Sequence, residues 1–286
     1  MKKILVVFNK KSEKNKLYNC KKKIYIRLKE LGMDFKFVYL NFLPKVKDMN
    51  KYDTIIAVGG DGTVLSMLKY IVNTTKKLGI IPCGTANLFA ASLSIPDDVD
   101  KAIDIILLKK TSKIDIGKAG DQYFSLRVGF GYDACVINNS KAGLKKKIGY
   151  LAYLCQGIIN AFKLSKKTYR VKIDDKEMVV DANSIIVANA GNMFKNNFTI
   201  APKGSLVDGK FDVFILKVKN VLDFIEVFFQ IIFRIHRQTP KAIYAQAKNV
   251  SIQTSDNSSH IDGEMFFNKN IINIQILPEA INVLIP

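Results

Sequence analysis

The sequence predicts an α/β protein in two parts, an N-terminal doubly wound domain followed by a C-terminal β-sandwich-like domain. Three observations carry this prediction. Short apolar runs alternate with helical periodicity over roughly the first 115 residues. From about residue 114, strand patterns follow one another across tight turns. A chain of 286 residues, 48% of them hydrophobic, can bury a core in each part.

The elements follow in order. Residues 4–8 form a continuous apolar run, as in a parallel strand buried on both faces. Leu17, Cys20, Ile24, Leu28 and Leu31 recur at helical spacing, and Gly32 stops that helix. Residues 35–40 read as a strand, and residues 54–58 as another that runs into a glycine-rich turn. A helix over 64–72, a short strand over 79–81 and a helix over 88–93 come next. Asp97 can cap a helix that ends near residue 108. In the second part, strands over 168–173 and 176–180 flank Asp174-Asp175, a hairpin signal. Further strands are expected at 183–190, at 205–207 and 211–218 around Asp208-Gly209, at 249–254 and at 271–277. Helices at 147–164 and 221–236 interrupt them. The domains are expected at 1–115, with a tail at about 276–286 returning to it, and at 116–275.

Composition narrows the partners. Lys and Arg total 44 against 25 Asp and Glu, a formal net charge of +19. Such a surface attracts polyanions. Only Arg27, Arg127, Arg170, Arg234 and Arg237 are arginines. Base readers favour arginine, whereas a lysine-dominated surface suits anionic lipid headgroups. The same excess also fits a bias toward Lys, Asn and Ile throughout the chain. No helix-turn-helix, zinc module or aromatic RNA platform is evident, so nucleic acid is not an expected partner. Cys20, Cys83, Cys135 and Cys155 show no C-x-x-C spacing and read as reduced thiols of a cytoplasmic protein. The apolar run after Met1-Lys2-Lys3 is too short for a signal peptide, and no stretch is long enough to span a bilayer.

Gly59-Gly60-Asp61-Gly62-Thr63 carries the strongest chemical signal. A tight turn that opens a helix presents backbone N–H groups and the positive end of the helix dipole, which together suit a phosphate. Glycines let the backbone approach a ligand closely. A carboxylate there is repulsive unless Mg²⁺ bridges it to the phosphates or it polarises a hydroxyl. The spacing matches neither a Walker A loop nor G-x-G-x-x-G. A second turn, Pro82-Cys83-Gly84-Thr85-Ala86-Asn87, also joins a strand to a helix. Two such turns at one edge of a parallel sheet could hold a nucleotide between them, making the first part a nucleotide-binding domain.

The first turn, followed by a P-x-G-T-x-N-x-F-A pattern over 82–90, resembles the catalytic domain of the diacylglycerol kinase and lipid kinase family. The first turn is shared with NAD kinases; the second is similar to the lipid-kinase pattern. Residues 128–134, 149–153, Ala201-Pro202, Asp208-Gly209 and Ile261-Asp262-Gly263-Glu264 extend the resemblance in family order. It implies ATP contacts from Asn9, Gly59, Gly60, Asp61, Gly62, Thr63, Gly84, Thr85 and Asn87. It also implies Glu264 as the base that accepts the substrate hydroxyl proton, reaching the phosphates from the second domain, with Asp61 organising magnesium or phosphate. Ser205 and Lys210, through their carbonyls, and Asp208, through its side chain, would hold a structural Mg²⁺. A second Mg²⁺ would bridge the ATP phosphates near Asp61. Two departures stand out. Asn9-Lys10-Lys11-Ser12-Glu13 lacks the family's Pro and Gly, and Leu88 stands where an acidic residue is frequent.

Simpler readings remain at this stage. Asp262-Gly263 could be a plain hairpin turn with Glu264 solvated beside it, and Asp208-Gly209 a turn without metal. His260 reads as incidental. The helix over 221–236 carries a narrow polar stripe of Asp223, Glu226, Gln230 and Arg234. Core burial explains such a helix first, and contact with lipid second. The expected protein is an ATP-dependent kinase of a lipid hydroxyl, with diacylglycerol leading, peripheral at the anionic inner face of the membrane. A homodimer is left open. An NAD kinase-like enzyme and a non-catalytic basic nucleotide- or lipid-binding protein are the alternatives.

Overall fold

The computed structural model describes residues 3–10, 14–131, 133, 166–190, 205–232, 239–255, 259–266 and 271–286. The helix expected at 147–164, the motif at 149–153 and Ala201-Pro202 lie outside the described residues. The chain divides into two compact units, Met1–Ile116 with Pro278–Pro286, and Gly117–Leu277.

The first unit is a doubly wound α/β domain. Its strands β1 (Lys3–Phe8), β2 (Asp34–Tyr39), β3 (Thr54–Gly59) and β4 (Lys77–Pro82) lie parallel in the order β2-β1-β3-β4. Ile4, Leu5, Val6, Val7 and Phe8 are all buried, which explains an apolar run without alternation. Helix α1 (Lys14–Glu30) buries Cys20, Ile24 and Leu28 at helical spacing. It ends as expected at Gly32, where φ is +60° and the Gly32 and Met33 N–H groups bond to the Lys29 and Leu28 carbonyls. Leu31 lies beyond the helix and is 53% exposed. Helices α2 (Asp61–Ile71), α3 (Leu88–Ser92) and α4 (Val99–Leu108) complete this unit. Asp98, not Asp97, caps α4 by accepting the Lys101 N–H at 2.9 Å. Adjacent aspartates offer the same cap chemistry, so the pattern alone misplaced the cap by one residue.

The second unit is a β-sandwich. One sheet runs β9 (Lys176–Ala182), β8 (Lys167–Ile173), β13 (Asn249–Gln253) and the start of β16 (Ile271–Leu284), all antiparallel. Strand β8 alternates cleanly, with Tyr169, Val171 and Ile173 buried between exposed Thr168, Arg170 and Lys172. The other sheet has the order β12 (Ala242–Ala247), β11 (Phe211–Leu216), β10 (Ser184–Ala188), β7 (Arg127–Gly131), β14 (Ser259–Ile261), β15 (Glu264–Phe266). Val171, Val250 and Ile252 from the first sheet share one core with Val128, Phe130, Val187 and Val213 from the second. Strand β5 (Thr111–Ala119) and β6 (Gln122–Phe124) form a hairpin that adds Phe124, stacked on Phe211 at 5.5 Å. Residues 205–207 are not the expected strand: they enter a turn in which Gly209 has φ +66°. The segment is too short to pair before the chain must reverse.

Helix α5 (Val221–Ile232) is amphipathic rather than buried all round. Phe224 and Val227 are buried, while Leu222 is 76% exposed. Its stripe is partly spoken for, since Lys241 pairs with Asp223 at 2.8 Å and with Glu226 at 2.5 Å. Among the described residues, no helix is long and apolar enough to cross a membrane.

The cap assignment is testable. Asp98→Ala should cost about 1 kcal/mol of stability in urea unfolding, the ordinary value of a lost N-cap. Asp97→Ala should leave α4 intact, because the Asp97 carboxylate instead accepts from Asn87 Nδ2 at 3.0 Å.

Candidate functional site

The two glycine turns meet within the first unit. Strand register sets Gly59 beside Pro82, and the Cys83 N–H donates to the Gly59 carbonyl at 2.9 Å. The backbones then converge so closely that a Cβ on Gly84 would lie 2.5 Å from the Gly60 Cα. Position 84 therefore requires glycine, and a Cβ on Gly60 would sit tightly, 3.1 Å from the Gly84 Cα. Asn9, at the end of β1, donates from Nδ2 to Thr63 Oγ1 at 3.2 Å, so the first loop joins the same cluster.

Asn87 shapes the second turn. It is buried, with φ +50°, a left-handed conformation that asparagine tolerates better than most residues. Its Oδ1 accepts the Gly84 N–H at 3.0 Å, and its Nδ2 donates to the Gly84 carbonyl at 3.2 Å. The side chain thus closes the turn as a second strand would. Thr85 stands exposed at the tip.

Asp61 has a role that sequence reasoning missed. Its Oδ2 accepts the Leu88 N–H at 3.1 Å and its Oδ1 the Phe89 N–H at 2.9 Å. The carboxylate therefore sits at the start of α3, where a helix leaves its N–H groups unsatisfied. It ties the second turn to the first. No local pattern signals this, because the partners lie 27 and 28 residues away.

In the second unit, Asp262 and Gly263 form a two-residue hairpin between β14 and β15, with φ +48° and +89°. Both central residues are left-handed, as a type I′ turn requires. The Asp262 carboxylate gathers the Ser125 N–H at 2.7 Å, the Ser125 hydroxyl at 2.8 Å, the Leu126 N–H at 2.9 Å and the Arg127 N–H at 2.8 Å. Burial pushes this carboxyl above its usual range, and the four donors offset only part of that rise. Glu264 follows immediately, exposed at the start of β15.

His260 is far from incidental. It is fully buried, and its Nδ1 accepts the Gly263 N–H at 3.3 Å. That bond places the proton on Nε2, which donates to Asp133 Oδ2 at 2.7 Å. Arg127 Nε lies 3.6 Å from the same oxygen and balances its charge. Gly129 makes room: a Cβ there would fall 2.3 Å from both His260 Nε2 and Asp133 Oδ2. The hairpin before Glu264 is therefore braced by Asp262 and by His260. His260 and its partner Asp133 are 127 residues apart, beyond the reach of any local signal.

Ser205, Asp208 and Lys210 share one turn, with Asp208 Oδ1 accepting the Lys210 N–H at 3.1 Å. This turn offers oxygen donors only, from one carboxylate and main-chain carbonyls, the donor type that Mg²⁺ takes. Among the described residues, no three His, Cys, Asp or Glu side chains cluster to hold a metal.

Comparisons with known proteins settle the family. Residues 3–119 match the diacylglycerol kinase catalytic domain, and residues 126–285 match the YegS C-terminal NAD kinase beta sandwich-like domain. A diacylglycerol kinase of Bacillus subtilis is 32% identical over 222 residues, 76% of this chain and 72% of that protein. The chain belongs to the diacylglycerol kinase family. A diacylglycerol kinase of Staphylococcus epidermidis is 31% identical over 75% of this chain and 69% of its own length. A crystal structure of a Bacillus anthracis diacylglycerol kinase has a TM-score of 0.77 at 22% identity, covering 100% of this chain and 97% of that one. At that identity the likeness shows the shared fold. The family is one of kinases, and NAD kinase enters through the description of its second domain.

Asp262→Ala would strip an acceptor from three consecutive backbone N–H groups. Chemical unfolding should show a loss of about 3 kcal/mol, with Asp262→Asn intermediate.

Proposed function

We propose that this protein is an ATP-dependent lipid kinase that transfers the γ-phosphate to a lipid hydroxyl, with diacylglycerol the leading acceptor and phosphatidic acid the product. One observation carries the proposal: two glycine turns, held backbone to backbone, flank the opening of α2 in a chain of this family. Phosphates would lie over the N–H groups of Gly60, Gly62 and the Gly84 turn, where the helix dipole favours negative charge. Asn9 and Thr63 would fix the first loop, and Thr85 would reach the nucleotide from the tip of the second. Asp61 would act by holding the second turn against the first.

Glu264 is the proposed base. An alcohol attacks poorly until its proton has somewhere to go, and a carboxylate accepts that proton as the oxygen bonds to phosphorus and ADP departs. The brace of Asp262 and His260 would fix the carboxylate's position. Ser205, Asp208 and Lys210 would hold Mg²⁺ in the second unit. Magnesium there would order the oxygen ligands of the turn, and a second Mg²⁺ near Asp61 would supply neutralisation of phosphate charge. The excess of lysine and the exposed Leu222 and Phe229 of α5 support a peripheral position on the cytoplasmic, anionic face of the inner membrane.

Labelled ATP offered with diacylglycerol in anionic mixed micelles, or with NAD, tests the reading. Label should enter the lipid; label in NAD alone would replace the proposal with an NAD kinase. Glu264→Gln should lower turnover by about 10²-fold or more while ATP binding persists.

A further inference from the structure

Folding brings together two of the four cysteines that sequence spacing leaves unrelated. Cys20 lies in the middle of α1, and Cys83 directly follows β4. Both are buried, and their sulfurs are 2.9 Å apart although 63 residues separate them. Each sulfur is held by its own element. Helix α1 packs through Ile24 and Leu28 and is tied to α4 by Lys23–Asp100 at 2.5 Å and Arg27–Asp104 at 2.6 Å. Cys83 is fixed by its N–H bond to Gly59. A disulfide requires sulfurs at about 2.0 Å, so closing the pair needs an approach of roughly 1 Å.

We propose that Cys20 and Cys83 form a reversible oxidation site, closing to an intramolecular disulfide that fastens α1 to the Gly84 turn. The oxidant class is a peroxide. The pair gives the same product whichever thiol reacts first; with Cys20 as the nucleophile, Cys83 resolves. The Cys20 sulfur attacks one peroxide oxygen: an S–O bond forms, the O–O bond breaks, and hydrogen peroxide leaves a sulfenic acid and one water. Cys83 then attacks that sulfur. The S–S bond forms, the S–O bond breaks, and the hydroxyl departs as water with the Cys83 proton. Two thiols and one hydrogen peroxide thus give one disulfide and two waters. Burial excludes a bulky disulfide such as oxidised glutathione.

The location gives the bond a consequence. Cys83 adjoins Gly84, whose backbone packs on Gly60. Linking Cys83 to a helix stiffens the turn that completes the glycine cluster. This inference concerns the first unit alone and is independent of which substrate the protein phosphorylates.

The test uses the full chain, treated with hydrogen peroxide, alkylated in denaturant, digested and analysed by mass spectrometry. The major oxidised species should be a Cys20–Cys83 cross-linked peptide, two hydrogens lighter than the thiol pair and lost on treatment with dithiothreitol. Amide hydrogen exchange over residues 83–89 should slow by about threefold or more in the oxidised protein. Cys20→Ser, which retains the α1 backbone, should show neither change. Cross-links dominated by Cys135 or Cys155, oxidation only to sulfinic acids, unchanged exchange at 83–89, or slowing that persists in Cys20→Ser would each overturn the proposal.

Discussion

The glycine turns depend on one carboxylate. Asp61 opens α2 and spends both oxygens on the first N–H groups of α3. Such bonds are charge-assisted and face the positive end of a helix, which makes them stronger than neutral pairs. The tie helps set how close the two turns come, and that closeness dictates glycine at position 84. Asn87 then closes the second turn from within, and Asp97 holds the Asn87 amide from outside. The cluster is thus specified by a few polar side chains that act on backbone, on a parallel sheet in which β1, β3 and β4 are buried along nearly their whole length.

The second unit uses the same device. Asp262 sits in a tight turn and gathers three consecutive N–H groups from a segment more than a hundred residues earlier. In both places an aspartate beside glycine anchors distant main chain, and a chemically suggestive residue stands close by. The G-D-G and D-G-E patterns therefore serve architecture as well as chemistry. An aspartate already holding two backbone groups is a better support than a proton acceptor.

Much of this fold was legible because burial follows local pattern. The unbroken run in β1, the alternation in β8 and the glycine stop of α1 each translate directly into structure. Strand β12 was missed, since Ala242, Ala245 and Ala247 carry little strand preference and the strand exists through its pairing with β11. Strands β14 and β15 have three residues each, too few for periodicity, and only the Asp-Gly turn between them gave a signal. Both glycine turns were legible as phosphate-type loops. What joins them was not, because Asp61 to Leu88, His260 to Asp133 and Cys20 to Cys83 are contacts made by topology.

The most direct test of this account is calorimetric titration of ATP into Asp61→Asn, with turnover measured in parallel. A holding role predicts that ATP affinity falls by about tenfold or more, because the second turn loses its charged anchor. Affinity equal to wild type, with turnover alone abolished, would contradict it and return Asp61 to the chemistry of the reaction itself.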